Sequence, residues 1–396
     1  MDSDNRVSQG RQPPAIARVA VHVLRWPVKV PVRTSFGVMH DRPAVLVRIE
    51  DGDGAFGWGE AWCNFPACGA EHRARLIETL VAPLVVGRSF ASPRDFFRDA
   101  SAKTAVLAIQ SGEPGPIAQA IAAVDIALHD LAARRAGQAL WRYLLDRDSA
   151  PDVAPAAART VPVYASGINP EQPDELVAAL RAEGHVSFKL KVGFGPARDV
   201  ANLAAVRTAA GSAAAVMVDA NQGWDLETAL AMARQLGESR PAWIEEPLRA
   251  DRPWSEWQRL AQASPAPLAA GENAGSAEAF DRLIASRAIA IVQPDLAKWG
   301  GVSGMLDVAE RIVAAGLRFC PHYLGAGIGL AASAHLLAAR ADPTSLLEVD
   351  ANQNPLRTAL FPALATLNAG RIELGAAPGL GIDPGAHELR ALGAVV

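Results

Sequence analysis

Between Val161 and Val349 the chain alternates short apolar runs with longer amphipathic stretches, and this alternation leaves little choice of fold. The apolar runs fall at residues 161–165, 187–191, 215–219, 242–245, 268–271, 289–293, 318–321 and 346–349. Strands alternating with helices pair in parallel, because each crossover returns the chain to the same end of the sheet. Eight such units in about 190 residues predict a (β/α) barrel near the small end of the usual size. The intervening helices have readable ends. Asp225 can cap a helix with Leu226, Leu230, Ala233 and Leu236 on its inner face and Gly237 at its close. Gly316 ends another that buries Met305, Val308 and Ile312. No full helix is legible after Leu347, so the eighth is expected to be missing or replaced.

Ahead of this pattern, residues 17–150 read as an α+β domain. Apolar runs at 19–23, 45–49 and 55–59, with the turn Asp51-Gly52-Asp53-Gly54, predict an antiparallel meander. Helices are expected near 71–86, 93–107 and 116–135, the last with Ile117, Ile121, Val124, Leu128 and Leu131 at helical spacing. Residues 1–16 read as a disordered leader and 151–158, rich in Pro and Ala, as a linker. The barrel is expected over 159–369, and the Gly- and Pro-rich tail, 370–396, is expected to return to the first domain.

Composition narrows the function. The 38 basic and 42 acidic residues leave a net charge of −4, with no basic surplus for nucleic acid or an anionic membrane. No run of 18 apolar residues and no apolar signal region are visible. Cys63, Cys68 and Cys320 give neither a disulfide framework nor zinc spacing. A cytoplasmic protein acting on a small molecule is expected.

Barrel active sites lie at the C-terminal ends of the strands. There the chain places Lys189 and Lys191, Asp219, Glu245, Glu272, Asp295, His322 and Glu348, successive strand ends from Lys191 onward lying 23 to 28 residues apart. Asp219, Glu245 and Glu272 end three consecutive strands. Three carboxylates facing one spot repel unless neutralised, and oxygen-only ligands point to Mg²⁺, or Mn²⁺. Taken singly, each acid also reads as a helix cap or a rim salt bridge. Glu246, next along the chain, is expected to point to the opposite face in a supporting role.

Only five basic residues are lysine, yet Lys189 and Lys191 share one face of one strand. Adjacent ammonium groups beside a metal are expected to depress each other's pKa, which suits a lysine base. His322 and Asp295 end neighbouring strands and suggest a carboxylate–imidazole pair. Glu348 is expected to donate a hydrogen bond as a neutral acid. Such a site suits removal of the proton α to a carboxylate, with metal, lysine and acid aimed at the enediolate oxygens. A lysine or histidine base working beside Mg²⁺ is an established pattern for that proton transfer.

These residues resemble the enolase superfamily, and within it the mandelate racemase subgroup. The resemblance rests on Lys189-Leu190-Lys191, Asp219-Ala220-Asn221, Ile244-Glu245-Glu246-Pro247, Gly271-Glu272-Asn273, Pro294-Asp295, Lys298-Trp299-Gly300-Gly301, Pro321-His322 and Leu347-Glu348. It extends to Ala127-Leu128-His129-Asp130-Leu131 and Pro378-Gly379-Leu380-Gly381, and so covers about 20–385. It implies an α/β fold, a (β/α)7β TIM-type barrel with an N-terminal α+β cap, often oligomeric. It implies Mg²⁺ on Asp219, Glu245 and Glu272, Lys191 as base, Lys189 at the substrate carboxylate, Asp295–His322 as second base or acid, and Glu348 at the enediolate. Asn221 and Lys298 match supporting positions. Substrate choice in such proteins comes from cap loops, here 34–40 and 62–69, which offer Phe36, Met39, Trp62, Asn64 and Phe65; the same side chains also read as cap core.

The expected activity is dehydration of a hydroxy acid such as an aldonate or aldarate, with a 2-hydroxy-acid racemase or epimerase as the alternative. More distant alternatives are a phosphosugar barrel enzyme, gripping phosphate with Gly325, Gly327 and Gly329, and a non-catalytic acid-binding protein.

Overall fold

The computed structural model describes residues 13–34, 37–148, 159–340 and 344–395. The leader, for all but its last residues, the segment 151–158 and Phe36 therefore lie outside the described residues.

Three antiparallel strands, β1 (Ile16–Thr34), β2 (Gly37–Asp51) and β3 (Phe56–Ala61), form the predicted meander. Its tight turn is held by Asp51 Oδ1, which accepts from the amides of Asp53 (3.0 Å) and Ala55 (3.1 Å). Helix Pro114–Arg135 lies directly on β3. A Cβ at Gly57 would fall 2.1 Å from Ala127 O, and one at Gly59 would fall 1.9 Å from Ala123 O. Glycine at both positions is what permits that approach. This helix is long and apolar enough to span a bilayer, but 83% of its most apolar stretch is buried, so its apolarity fills the core of the cap. Helix Pro93–Ser111 starts on a Ser92 cap and stops at Gly112 in the left-handed region (φ +68°). The helix expected over 71–86 is α-helical only over Gly69–Leu76. A wide turn, Ile77–Val81, and a tight one, Ala82–Leu84, follow, where Pro83 has no N–H to continue the ladder.

The barrel strands are β4 (Arg159–Ile168), β5 (Ser187–Lys191), β6 (Ala215–Asp219), β7 (Ile244–Glu245), β8 (Leu268–Ala270), β9 (Ile291–Val292), β10 (Arg318–Phe319) and β11 (Leu347–Asp350). They pair in parallel in the order β11-β4-β5-β6-β7-β8-β9-β10. The seam between the ends is bridged by the Glu348 amide, which donates to Pro321 O at 3.3 Å. After β11 only a short helix, Pro355–Leu360, and a tight turn, Pro362–Thr366, occupy the place of an eighth helix. The architecture is thus a (β/α)7β barrel under an α+β cap.

The tail serves both bodies. β12 (Arg371–Leu374) pairs antiparallel with β4 of the barrel, and β13 (Ala394–Val395) with β1 of the cap. Inside the barrel, Tyr164, Met217, Trp243, Ala269, Ile291 and Cys320 form one buried cluster. That plug is the floor on which the polar strand ends stand.

Candidate active site

Register places the first polar groups. Lys191 pairs with Asp219, and Asp219 with Glu245, at one level of three adjacent strands. Phe188 and Leu190 are fully buried against the helices, so both lysines of β5 face inward. The predicted spacing thus becomes a row of side chains on one rim.

Lys189 Nζ lies 2.5 Å from Glu245 Oε1, 2.8 Å from Glu348 Oε1 and 3.9 Å from Asp219 Oδ2. The Tyr164 ring centroid is 5.4 Å away. Burial pulls the Lys189 pKa down, but Glu245 and Glu348 outweigh it and hold the group well above its usual value. The mutual depression expected of the two lysines is therefore reversed at Lys189, because carboxylates and not ammonium groups are its nearest neighbours. Glu348 is corrected in the same way. Burial alone would raise its pKa, yet Lys189 and His322 hold it below the usual carboxylate range, so it is ionised rather than a neutral donor. Its Oε2 is buried without a hydrogen-bond partner among the described residues.

Lys191 Nζ donates to Asn221 Oδ1 at 2.5 Å and stands 3.6 Å from Asp219 Oδ2. Asn221 adopts φ +44°, a conformation Asn tolerates better than most residues. From there its amide and side chain donate to the two oxygens of Asp219, at 2.8 and 2.9 Å. Glu245 Oε2 accepts from Gln293 Nε2 (2.5 Å) and Trp243 Nε1 (3.1 Å). The sequence reading missed both partners, although Gln293 lies two residues before Asp295. Glu246 departs from strand alternation: its φ of +38° ends the strand. It accepts from Asn273 Nδ2 at 2.8 Å. Burial raises its pKa well above the usual range, with Glu272 and Asp219 adding to the effect. It therefore belongs to the acidic cluster, not to the opposite face.

The other half of the rim is built around His322. Its Nδ1 is 2.8 Å from Asp295 Oδ2 and its Nε2 is 2.9 Å from Glu272 Oε2. Asp295 Oδ1 is fixed by the amides of Ala297 (2.8 Å) and Lys298 (3.2 Å). Lys298 Nζ reaches Glu272 Oε1 at 3.0 Å. Burial disfavours charge on both Glu272 and His322. Even so, His322 and Lys298 hold the Glu272 pKa well below its usual value, and Glu272 and Glu348 hold His322 well above its own.

Six carboxylates (Asp219, Glu245, Glu246, Glu272, Asp295 and Glu348) thus face Lys189, Lys191, Lys298 and His322. The acids outnumber the cationic groups, and their crowding shows in Glu245, pushed up to about 7, and in Glu246, raised well above its usual range. The surplus and the all-oxygen donor set fit a divalent cation such as Mg²⁺. No three Asp, Glu, His or Cys side chains among the described residues stand close enough together to grip an ion. Oxygens of Glu245 and Glu272 are instead engaged by Lys189, Lys298 and His322.

The cap reaches the rim through two of its candidate specificity residues. The Trp62 amide donates to Ala297 O at 3.3 Å, and Lys298 Nζ lies 5.1 Å from the Trp62 ring centroid. Asn64 Nδ2 donates to Leu324 O at 2.5 Å. Met39 is buried, and Phe65 packs over Gly37, where a Cβ would fall 2.6 Å from its ring. Amides at the glycine run after His322 are taken by a carboxyl group of the protein itself and not left for a phosphate. Glu60 of β3 accepts from the amides of Ala326 (2.6 Å) and Gly329 (2.9 Å).

Comparison with known proteins agrees with this architecture. Residues 16–144 match the N-terminal domain model of mandelate racemase / muconate lactonizing enzyme, and residues 173–388 match the enolase C-terminal domain-like model. A D-galactarolactone cycloisomerase of Agrobacterium fabrum is 29% identical over 93% of this chain and 96% of its own. An L-talarate/galactarate dehydratase of Salmonella typhimurium is 37% identical over 54% of this chain and 52% of its own. The crystal structure of a mandelate racemase/muconate lactonizing enzyme from Bordetella bronchiseptica RB50 superposes with a TM-score of 0.88 at 60% identity, covering 96% of this chain and 99% of that one. A racemase from Streptomyces coelicolor A3(2), solved with bound magnesium, superposes at 0.80 with 26% identity over 96% of this chain and all of its own. The chain is an enzyme, a lyase or isomerase, and belongs to the mandelate racemase/muconate lactonizing enzyme family of the enolase superfamily.

Proposed function

We propose that this enzyme removes the proton α to the carboxylate of a polyhydroxy acid and then expels the β-oxygen, as an acid-sugar dehydratase. The observation that carries the reading is the Asp295–His322 pair, 2.8 Å long, on the same rim as Lys191 and the acidic cluster. Asp219, Glu245 and Glu272 are the residues that would hold Mg²⁺. When bound, the ion would act as a Lewis acid that favours the charge developing on the substrate carboxylate.

The remaining work falls to the protein's own groups. Lys189 is a fixed cation and orients the substrate carboxylate. Lys191 Nζ, steadied by Asn221, takes the α-proton on one face. On the other side, Asp295 holds Nδ1–H of the imidazole, which leaves Nε2 as the atom that gives a proton to the departing β-oxygen. Glu348 holds Lys189 in place. Trp62 and Asn64 bring the cap against the loops that carry Lys298 and His322, which keeps water from the reacting carbon.

A second reading is favoured by the Agrobacterium relative, a cycloisomerase that aligns over nearly the whole chain. In it the expelled β-oxygen is a ring oxygen that stays attached to the product. A racemase remains the third reading, with Lys191 and His322 acting on opposite faces and nothing leaving. Incubation with Mg²⁺ and a panel of aldonates, aldarates and their lactones in deuterated water separates the three. Dehydration releases a 2-keto acid with water, and ring opening gives a 2-keto acid of unchanged mass apart from deuterium. Racemisation returns inverted, deuterated substrate. Absence of both keto acid and α-exchange across the panel would remove the proposal. The placement in the cytoplasm and self-association belong to the same proposal; the three cysteines are free thiols, and sedimentation reads the assembly directly.

A further inference from the structure

We propose that Glu60 and Asp125, two buried carboxylates of the cap, are positioning residues for the Asp295–His322 pair. The proposal rests on the catalytic reading of that pair given above, but not on any particular substrate.

His322 and Asp295 end β10 and β9, and each is followed by a loop that runs straight into a barrel helix: Gly327–Arg340 after His322, Gly301–Ala314 after Asp295. The first turns of both helices are held by an acid from the cap. Glu60 accepts from the Ala326 and Gly329 amides, as above, and lies beside the Tyr323 hydroxyl. Asp125 Oδ2 accepts from the Ser303 amide at 2.9 Å, and His129 Nε2 is 2.9 Å from Ser303 Oγ. A carboxylate at a helix N-terminus satisfies amides that have no partner within the helix and meets the positive end of its dipole.

Space has been left for both acids. A Cβ on Gly325 would fall 2.8 Å from Glu60 Oε1, and one on Gly301 would fall 2.3 Å from Asp125 Oδ2. Glu60 is 1% exposed and Asp125 is fully buried, so neither interacts with solvent. Burial pushes both up to about 7, opposed by the hydrogen bonds from Ser303 and Val302 at Asp125, and from Gly329 and Ala326 at Glu60. Between each helix start and its catalytic residue the chain is short: only Tyr323, Leu324 and Gly325 separate His322 from Ala326, and the loop after Asp295 is also tied back on itself. Lys298 and Trp299 amides return to Asp295 O at 3.1 and 3.2 Å, and the Gly301 amide to Leu296 O at 3.1 Å. Moving either helix start therefore moves the group that ends the strand before it. Lys191 lies on β5, which neither acid touches.

The test uses the full chain and no substrate. The Nδ1 proton bridging His322 to Asp295 is observed at low field by proton NMR and assigned by its loss in His322→Asn. Glu60→Gln and Asp125→Asn, each introduced singly, are expected to broaden or shift this resonance, while the ring signals of the distant His185 stay put. If both folded variants keep the bridging resonance at its wild-type position and width, the proposal is wrong. It is also wrong if His185 moves as much as His322, since that is general loosening. Should one variant fail to fold, the other decides. Should both fail, Ser303→Ala, which removes only a hydroxyl, decides by the same criterion. A wild-type chain that shows the bridged proton but turns over nothing in the panel above would refute the dehydratase reading and leave this one standing.

Discussion

The barrel rim and the seam between cap and barrel both bury acids, and they manage them differently. At the rim, Glu245, Glu272 and Glu348 are met by Lys189, Lys298 and His322, charge against charge. At the seam, Glu60 and Asp125 are met by backbone amides and hydroxyls, and burial lifts both toward neutrality. Burial acts on both sets, lifting Glu245 to about 7 and Glu246 well above its usual range as well, but at the rim lysines and His322 oppose it, whereas at the seam hydrogen bonds do so. Substitutions at the rim should accordingly remove activity and spare the fold, whereas Glu60→Gln and Asp125→Asn at the seam, acting only through the placement of Asp295 and His322, should lower activity less.

The sharpest break would come at the rim. Lys191→Ala and His322→Asn are each expected to lower turnover on a hydroxy acid from the panel by about 10⁴-fold, the upper range for a general acid or base. The far-ultraviolet circular dichroism should stay unchanged. Intact turnover in both would remove the assigned roles.

At the seam, His335 carries the next largest effect. It is buried where helix Leu140–Asp148 meets the barrel, and its Nδ1 accepts the Trp141 amide at 3.0 Å. Burial pushes its pKa down to about 3 from 6.5. The folded state therefore resists a proton that the unfolded chain accepts. The stability this supplies is complete above pH 6.5 and is lost as pH falls from there toward 3. At about 1.4 kcal/mol per unit, the loss is on the order of 5 kcal/mol. His335→Gln should flatten the fall in melting temperature between pH 7 and 4, and an unchanged slope would show that the acid sensitivity lies elsewhere.

Magnesium tests the surplus of acids at the rim. At 100 times its dissociation constant a bound ion adds about 2.7 kcal/mol to stability. The melting temperature should rise with Mg²⁺ in the wild type and not in Asp219→Asn. A rise that survives the substitution would place the ion elsewhere. Smallest is a control that removes a helix cap and touches none of the rim side chains. Ser276 caps helix Ala277–Ala285 through the Ala279 amide at 3.1 Å, and Ser276→Ala should cost about 1 kcal/mol in denaturant titration with turnover unchanged.

How much of this was legible depends on the range of the interaction. β5 and β6 run over the residues the apolar pattern names, Ser187–Lys191 and Ala215–Asp219, because side-chain alternation is local. Asp225 caps its helix through the Thr228 amide for the same reason. Ionisation was not legible in this way. The Lys189 pKa shifts in the direction opposite to the one expected, and Glu348 is held below rather than above its usual range, because residues 159 positions apart meet across the barrel mouth. Phe36 lies outside the described residues, so the structure gives it no place among the specificity residues.

By itself, then, the order of residues determined the barrel, the rim on which its polar groups stand and the chemical class of those groups, since each follows from a repeat of one βα unit. Tertiary structure alone decided which groups are charged, that Glu246 joins the acids at the rim, and that the cap's own carboxylate fills the glycine cradle after His322. Those outcomes turn on burial and on contacts between distant segments, and a pKa or a helix cap supplied from another domain leaves no periodic trace along the chain.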